Sequence, residues 1–76
     1  MTLGERIKAK RESLGMTQRD VAKTMDLDSS DISRYETDRN APELDTFIRL
    51  CRALKTTPDE LLQIERPQAA LATEGQ

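Results

Sequence analysis

The chain has 76 residues, one cysteine and no histidine. Those totals confine it to one small domain and exclude an internal disulfide, most zinc sites and any catalytic triad that needs an imidazole base. The formal net charge is -2, and the excess acid lies in the second half: residues 1–40 carry eight basic and eight acidic side chains, residues 41–76 four basic and six acidic. A net-neutral first half predicts modest non-specific attraction to nucleic acid and a shallow dependence on salt.

No enzyme activity and no cofactor are expected, because no nucleophile has a base to activate it and no cluster of metal ligands is in view. Cys51 reads as a core residue. The opening MTLGERIKAKRE is charged within five residues and has no apolar run, so neither a secretory leader nor a membrane span is expected. A lone cysteine fits a cytoplasmic chain.

In chain order, Leu3, Ile7 and Leu14 lie at helical spacing and predict a first helix over about 3–14,. Thr2 and Glu5 form a T-x-x-E capping box at its start, and Gly15 supplies the left-handed residue that stops it. Thr17 reads as the N-cap of a second helix reaching about Met25, with Asp20 three residues on to answer it. Val21, Ala22 and Met25 give its buried face, and Ala22 is small where the next helix should cross. Asp26 falls where the turn needs a positive φ, which Asp tolerates less well than Gly. Asp28 then caps a third helix, about Ser29 to Glu36, with Asp31 at its N3 position. Ile32 and Tyr35 form the apolar side of that helix, which leaves Ser29, Ser30, Ser33 and Arg34 outward.

The stretch TDRNAP reads as a loop ending at the head of a fourth helix, about Glu43 to Leu54. Its inward face is predicted as Leu44, Phe47, Ile48, Cys51 and Leu54. Thr57, Pro58, Asp59 and Glu60 start a short fifth helix ending near Ile64. RPQAALATEGQ, residues 66–76, lacks an apolar face and is expected to be a flexible tail after a domain over 1–65. Five helices and no strand pattern make the class all-α.

Helices 2 and 3, separated only by Asp26, Leu27 and Asp28, form the arrangement that presents its second helix to a DNA major groove. An arginine such as Arg34 can bond bidentately to guanine O6 and N7, and Ser29 and Ser30 suit either bases or phosphates. Leu61, Leu62 and Ile64 are more apolar than so short a helix needs for itself and are the candidate dimer surface.

With those residues in place, LGERIKAKRESLGMTQRDVAKTMDLDSSDISRYE and PELDTFIRLCRALKTTPDELL together resemble the XRE/Cro-type helix-turn-helix family of phage and bacterial repressors. The resemblance covers residues 3–62 and rests on features coinciding in register. These are the opening LGxRI, the RxxxGMTQ step, the Val21–Ala22 pair, the IS-x-x-E end of helix 3 and the closing PDELL. It implies a compact five-helix lambda-repressor-like DNA-binding domain. It also implies a sequence-specific transcriptional regulator, repressor or autoregulator, that binds a palindromic operator in double-stranded DNA as a homodimer. By the same resemblance Ser29, Ser30, Ser33 and Arg34 are base-contact positions, and Gln18, Arg39 and Asn40 contact phosphate. Arg11 and Glu36 form an ion pair tying helix 1 to the end of helix 3.

This sequence departs from the pattern in having Asp26 where Gly is usual, and in the acids Asp26, Asp28, Asp31 and Glu36 around helix 3. That acidity leaves an alternative expectation open: a helix-turn-helix-fold module that binds proteins and no DNA. A chain of this length is expected to carry no ligand-sensing domain. A Cro-like repressor, an antitoxin-type autoregulator and a restriction-modification controller all remain compatible with it.

Overall fold

The computed structural model describes residues 1–62. The expected domain end, the tail over 66–76 and the dimer candidate Ile64 lie outside the described residues. Within them the chain forms α1 (Leu3–Ser13), α2 (Gln18–Met25), α3 (Ser29–Glu36), α4 (Leu44–Ala53) and α5 (Pro58–Leu62), with no strand. None of these helices is long and apolar enough to cross a membrane.

Local chemistry sets most of the boundaries. At α1, Glu5 N–H donates to Thr2 Oγ1 at 3.2 Å and Thr2 N–H donates to Glu5 Oε1 at 2.8 Å. The same reciprocal pair recurs at α2, where Asp20 N–H donates to Thr17 Oγ1 and Thr17 N–H to Asp20 Oδ2, and at α5, between Thr57 and Glu60. Each pair satisfies backbone donors that a helix start would otherwise leave without partners. Gly15 at φ 71 ends the first segment, and Asp26 at φ 59 closes α2 in the left-handed region. Leu27 N–H then donates to Ala22 carbonyl at 2.8 Å, which turns the chain sharply into α3. Two further left-handed residues, Asp38 and Lys55, have no glycine to announce them.

The core collects Ile7 from α1, Val21, Ala22 and Met25 from α2, and Ile32 from α3. Phe47, Leu50, Cys51 and Leu54 from α4 and its end complete it with Leu61 from α5. Burial raises the Cys51 thiol above its ordinary range, as expected for a packed and unreactive cysteine.

Two expectations are corrected. The inward face of α4 is Phe47, Leu50, Cys51 and Leu54, while Leu44 is 73 % exposed and Ile48 37 %. Apolar residues cover more than half of this helix, so spacing alone could not choose its inward direction; packing against α2 and α5 decides it. Leu14 is exposed because α1 ends at Ser13 and the chain turns away, leaving Arg11 as the inward residue one turn after Ile7. Leu61, expected at a dimer surface from its apolar character, is 4 % exposed and packs inside the chain's own core.

Gly4 explains how closely α1 approaches α3. A Cβ built there would lie 2.5 Å from the Glu36 carbonyl oxygen and 2.6 Å from that of Tyr35. Both are backbone atoms, so only glycine lets the helices meet at this point. Asp38, just past α3, locks the same junction: its carboxylate accepts from Thr2 Oγ1 at 2.6 Å and from Gly4 N–H at 2.9 Å. Arg49 of α4 donates to the Met25 carbonyl at the end of α2, and Arg6 donates to the Leu62 carbonyl at 2.7 Å.

Candidate nucleic-acid interface

The outward face of α3 is built by exclusion. Ile32 is fully buried and Tyr35 is half-buried against the core, which turns Ser29, Ser30 and Arg34 to solvent and leaves Ser33 at the margin, partly covered. Arg34 is the one basic residue of the helix. Its side chain is 49 % exposed and donates from Nη1 to Asp31 Oδ1 at 3.3 Å.

The rear of α3 is anchored at Glu36. Arg11 donates from Nε to Glu36 Oε2 at 2.6 Å and from Nη2 to Oε1 at 3.1 Å, and its Nη1 donates to the Met16 carbonyl at 2.8 Å. Both charged residues are buried. The hydrogen bond to Glu36 raises the Arg11 pKa further above its ordinary value, against the opposing effect of burial. Gln18, the first residue of α2, donates from Nε2 to Glu36 Oε1 at 3.0 Å. One carboxylate therefore receives α1, α2 and the end of α3 together.

The loop after α3 is tied to the same helix through backbone. Arg39 N–H and Asn40 N–H both donate to the Arg34 carbonyl, at 2.9 and 3.3 Å, and both side chains are exposed. Gln18, Arg39 and Asn40 are thus fastened to the C-terminal half of α3, whereas Ser29 and Ser30 occupy its start. At that start a shallow depression is lined by Arg19, Lys23, Asp26, Asp28, Ser29 and Ser30, with Ala22 and Leu27 at its floor. Arg19 and Lys23 are not singled out by the helix-turn-helix pattern. Their i, i+4 spacing on the side of α2 opposite Val21 and Met25 is the signal available for them.

Of the four acids counted around this face, Glu36 and Asp31 are engaged, while Asp26 and Asp28 line the depression. Glu36 is buried and paired with Arg11. Asp31 accepts from Arg34 and, through Oδ2, from Asp28 N–H at 3.2 Å. Asp38 caps α1. Asp20 is held below its ordinary pKa, first by the Thr17 backbone N–H and then by the Thr17 hydroxyl. Acids in first turns oppose the positive ends of helix dipoles, and Glu36 is withdrawn from the surface by its pairing with Arg11.

The geometry has clear counterparts among known proteins. Residues 7–61 match the helix-turn-helix family model. The HTH-type transcriptional regulator ImmR of Bacillus subtilis is 34 % identical over 62 residues, covering 82 % of this chain and 49 % of that protein. Repressor protein C2 of Salmonella phage P22 is 31 % identical over 70 residues, covering 92 % of this chain and 32 % of that one. The chain therefore spans about half the length of one curated relative and a third of the other. The solution structure of the DNA-binding domain of the P22 c2 repressor superposes with a TM-score of 0.80 at 31 % identity, with 90 % of each chain covered. The crystal structure of the P22 c2 repressor in complex with a synthetic operator gives 0.77 at 32 % identity, covering 83 % of this chain and 96 % of that one. The chain belongs to the XRE/Cro-type helix-turn-helix family of phage and bacterial repressors and has the five-helix fold of their DNA-binding domains.

Proposed function

We propose that this chain is the sequence-specific DNA-binding part of a transcriptional regulator, and that it binds a palindromic operator as a homodimer with α3 of each copy in the major groove. The observation that carries the proposal is the exposed Ser29, Ser30 and Arg34 face on a helix whose far end is fixed by the buried Arg11–Glu36–Gln18 network. A reading helix must enter the groove at one angle, and three hydrogen bonds to one carboxylate supply that rigidity. The operator complex of the P22 relative supports the same reading.

In this reading Arg34 bonds to guanine, Ser29 and Ser30 contact bases or the adjoining sugar-phosphate edge, and Ser33 borders the contact. Gln18, Arg39 and Asn40 contact phosphate, helped by the N-terminal end of α2, and Arg19 and Lys23 add positive charge beside Ser29. Two such helices on a dimer reach successive major grooves about 34 Å apart. The surface that would join them is the apolar groove of Leu3, Pro42, Leu44 and Leu62, backed by the core residue Phe47, with Ile48 on the same side of α4 as Leu44. Whether a bound dimer represses or activates follows from where its site lies relative to a promoter.

Selection of bound duplexes from a random library by the full chain, at low and near-physiological salt, tests the proposal. A palindromic consensus that survives the higher salt, and relaxes at one base pair per half-site in Arg34→Ala, supports it. No enrichment at either salt turns the reading to a protein-interaction module. Leu44→Glu should shift sedimentation toward the monomer and weaken binding to the palindrome; an unchanged association state would remove that surface from consideration.

A further inference from the structure

We infer that Asp31 is a specificity-determining residue that acts through Arg34, by holding the guanidinium over the start of α3 and away from the phosphate path. The inference rests on the proposed reading of DNA by α3 and deepens it. Arg34 is the only cation of that helix, and it stands between two possible partners. Toward the start of α3 lie the exposed Ser29 and Ser30; toward its end lies the Arg39–Asn40 loop, bonded to the Arg34 carbonyl. An arginine that swings to a phosphate adds affinity without sequence information, whereas one held over the bases reads them.

Asp31 decides between these by geometry. It lies one turn before Arg34 on the same helix face, and its Oδ1 accepts from Arg34 Nη1 at 3.3 Å. Its Oδ2 accepts from Asp28 N–H at 3.2 Å, so the carboxylate is also tied to the helix start. Helical side chains already lean toward the N-terminus, and this acceptor keeps Arg34 in that direction. The guanidinium retains further N–H donors for guanine O6 and N7. The Asp31 charge also opposes approach of a phosphate to this pair, which penalises binding out of register. An exposed pair of this kind adds little to folding, so its effect should fall on selectivity.

The test compares the wild-type full chain with Asp31→Asn, Asp31→Glu, Arg34→Ala and the double variant Asp31→Asn/Arg34→Ala, all checked for helical content and melting. Asparagine keeps an oxygen that can accept from Asp28 N–H, so the cap survives while the charge is lost. Affinities are measured for the selected site, for every single-base change in one half-site, and for a scrambled duplex. Asp31→Asn is expected to bind the scrambled duplex roughly threefold tighter. It should lose about tenfold in discrimination at the base pair that Arg34→Ala also relaxes, with Asp31→Glu recovering part of it. On the Arg34→Ala background, Asp31→Asn should leave the base-by-base profile unchanged.

A wild-type profile in Asp31→Asn, with all duplexes merely bound more tightly, overturns the inference alone. So does a profile that Asp31→Asn shifts even without Arg34, since Asp31 would then touch a base itself. A wild-type chain that selects no sequence overturns the DNA reading and this inference with it.

Discussion

Arg11, near the end of α1, grips Glu36, the last residue of α3, with two hydrogen bonds at 2.6 and 3.1 Å in a buried setting. The pair joins elements 25 residues apart and sets the far end of the helix that would enter DNA. Arg11→Ala should cost about 3–5 kcal/mol, because it leaves the Glu36 carboxylate buried and unpaired. The double change Arg11→Met/Glu36→Leu should cost much less, since neither charge then remains to be solvated. Urea unfolding at neutral pH measures both; equal losses would contradict the assignment of the single-variant cost to an orphaned charge.

Gly4 makes the opposite kind of junction, one of closeness. Alanine is ordinarily the better helix residue by about 1 kcal/mol. Here its methyl would overlap the Tyr35 and Glu36 carbonyls. Gly4→Ala is therefore expected to destabilise by about 1–3 kcal/mol, visible as a lower thermal midpoint, and a stabilised variant would show that α1 and α3 do not meet this closely.

Asp26 occupies the left-handed region at φ 59, ψ 43 without the freedom glycine would have. Asp26→Gly should stabilise the chain by about 0.5–1 kcal/mol, and Asp26→Ala should destabilise it by a similar amount. Removing this exposed carboxylate from the edge of the α2–α3 depression should also tighten binding to any duplex. Chemical unfolding and titration with a scrambled duplex check the two effects separately.

Acid should weaken the fold through its caps. Asp20 lies below its ordinary 3.8 through the Thr17 backbone N–H and hydroxyl, and Glu60 below its ordinary 4.5 through the Thr56 hydroxyl and the Thr57 backbone N–H. Both carboxyls ionise more readily in the folded chain than in the unfolded one. Their contribution is therefore complete above the ordinary values and disappears as pH falls through the depressed folded values. Melting curves recorded from neutral pH down to about pH 2 should show the midpoint falling across that window. Asp20→Asn/Glu60→Gln should melt lower at neutral pH and respond less to acid.

How much of this was legible from residues alone depended on the range of each interaction. Thr2 with Glu5, Thr17 with Asp20 and Thr57 with Glu60 are three residues apart, so the starts of α1, α2 and α5 could be read directly, as could the left-handed turns at Gly15 and Asp26. The outward set Ser29, Ser30 and Arg34 followed from Ile32 and Tyr35 turning inward. A wide apolar stripe is ambiguous: spacing assigns Leu44 and Ile48 to the core and passes over Leu50, which is fully buried, and it makes Leu61 look available for a partner.

The set of helices, the caps of α1, α2 and α5 and the turn between α2 and α3 are written in the residues alone, because they rest on contacts within a few positions. The direction α4 faces, the need for glycine at Gly4 and the fastening of α1 by Asp38 emerge from the folded arrangement. So does the engagement of Glu36 and Asp31 by Arg11, Arg34 and the start of α3. Each of these depends on a partner far along the chain, and spacing within one helix carries no information about where that partner comes to rest.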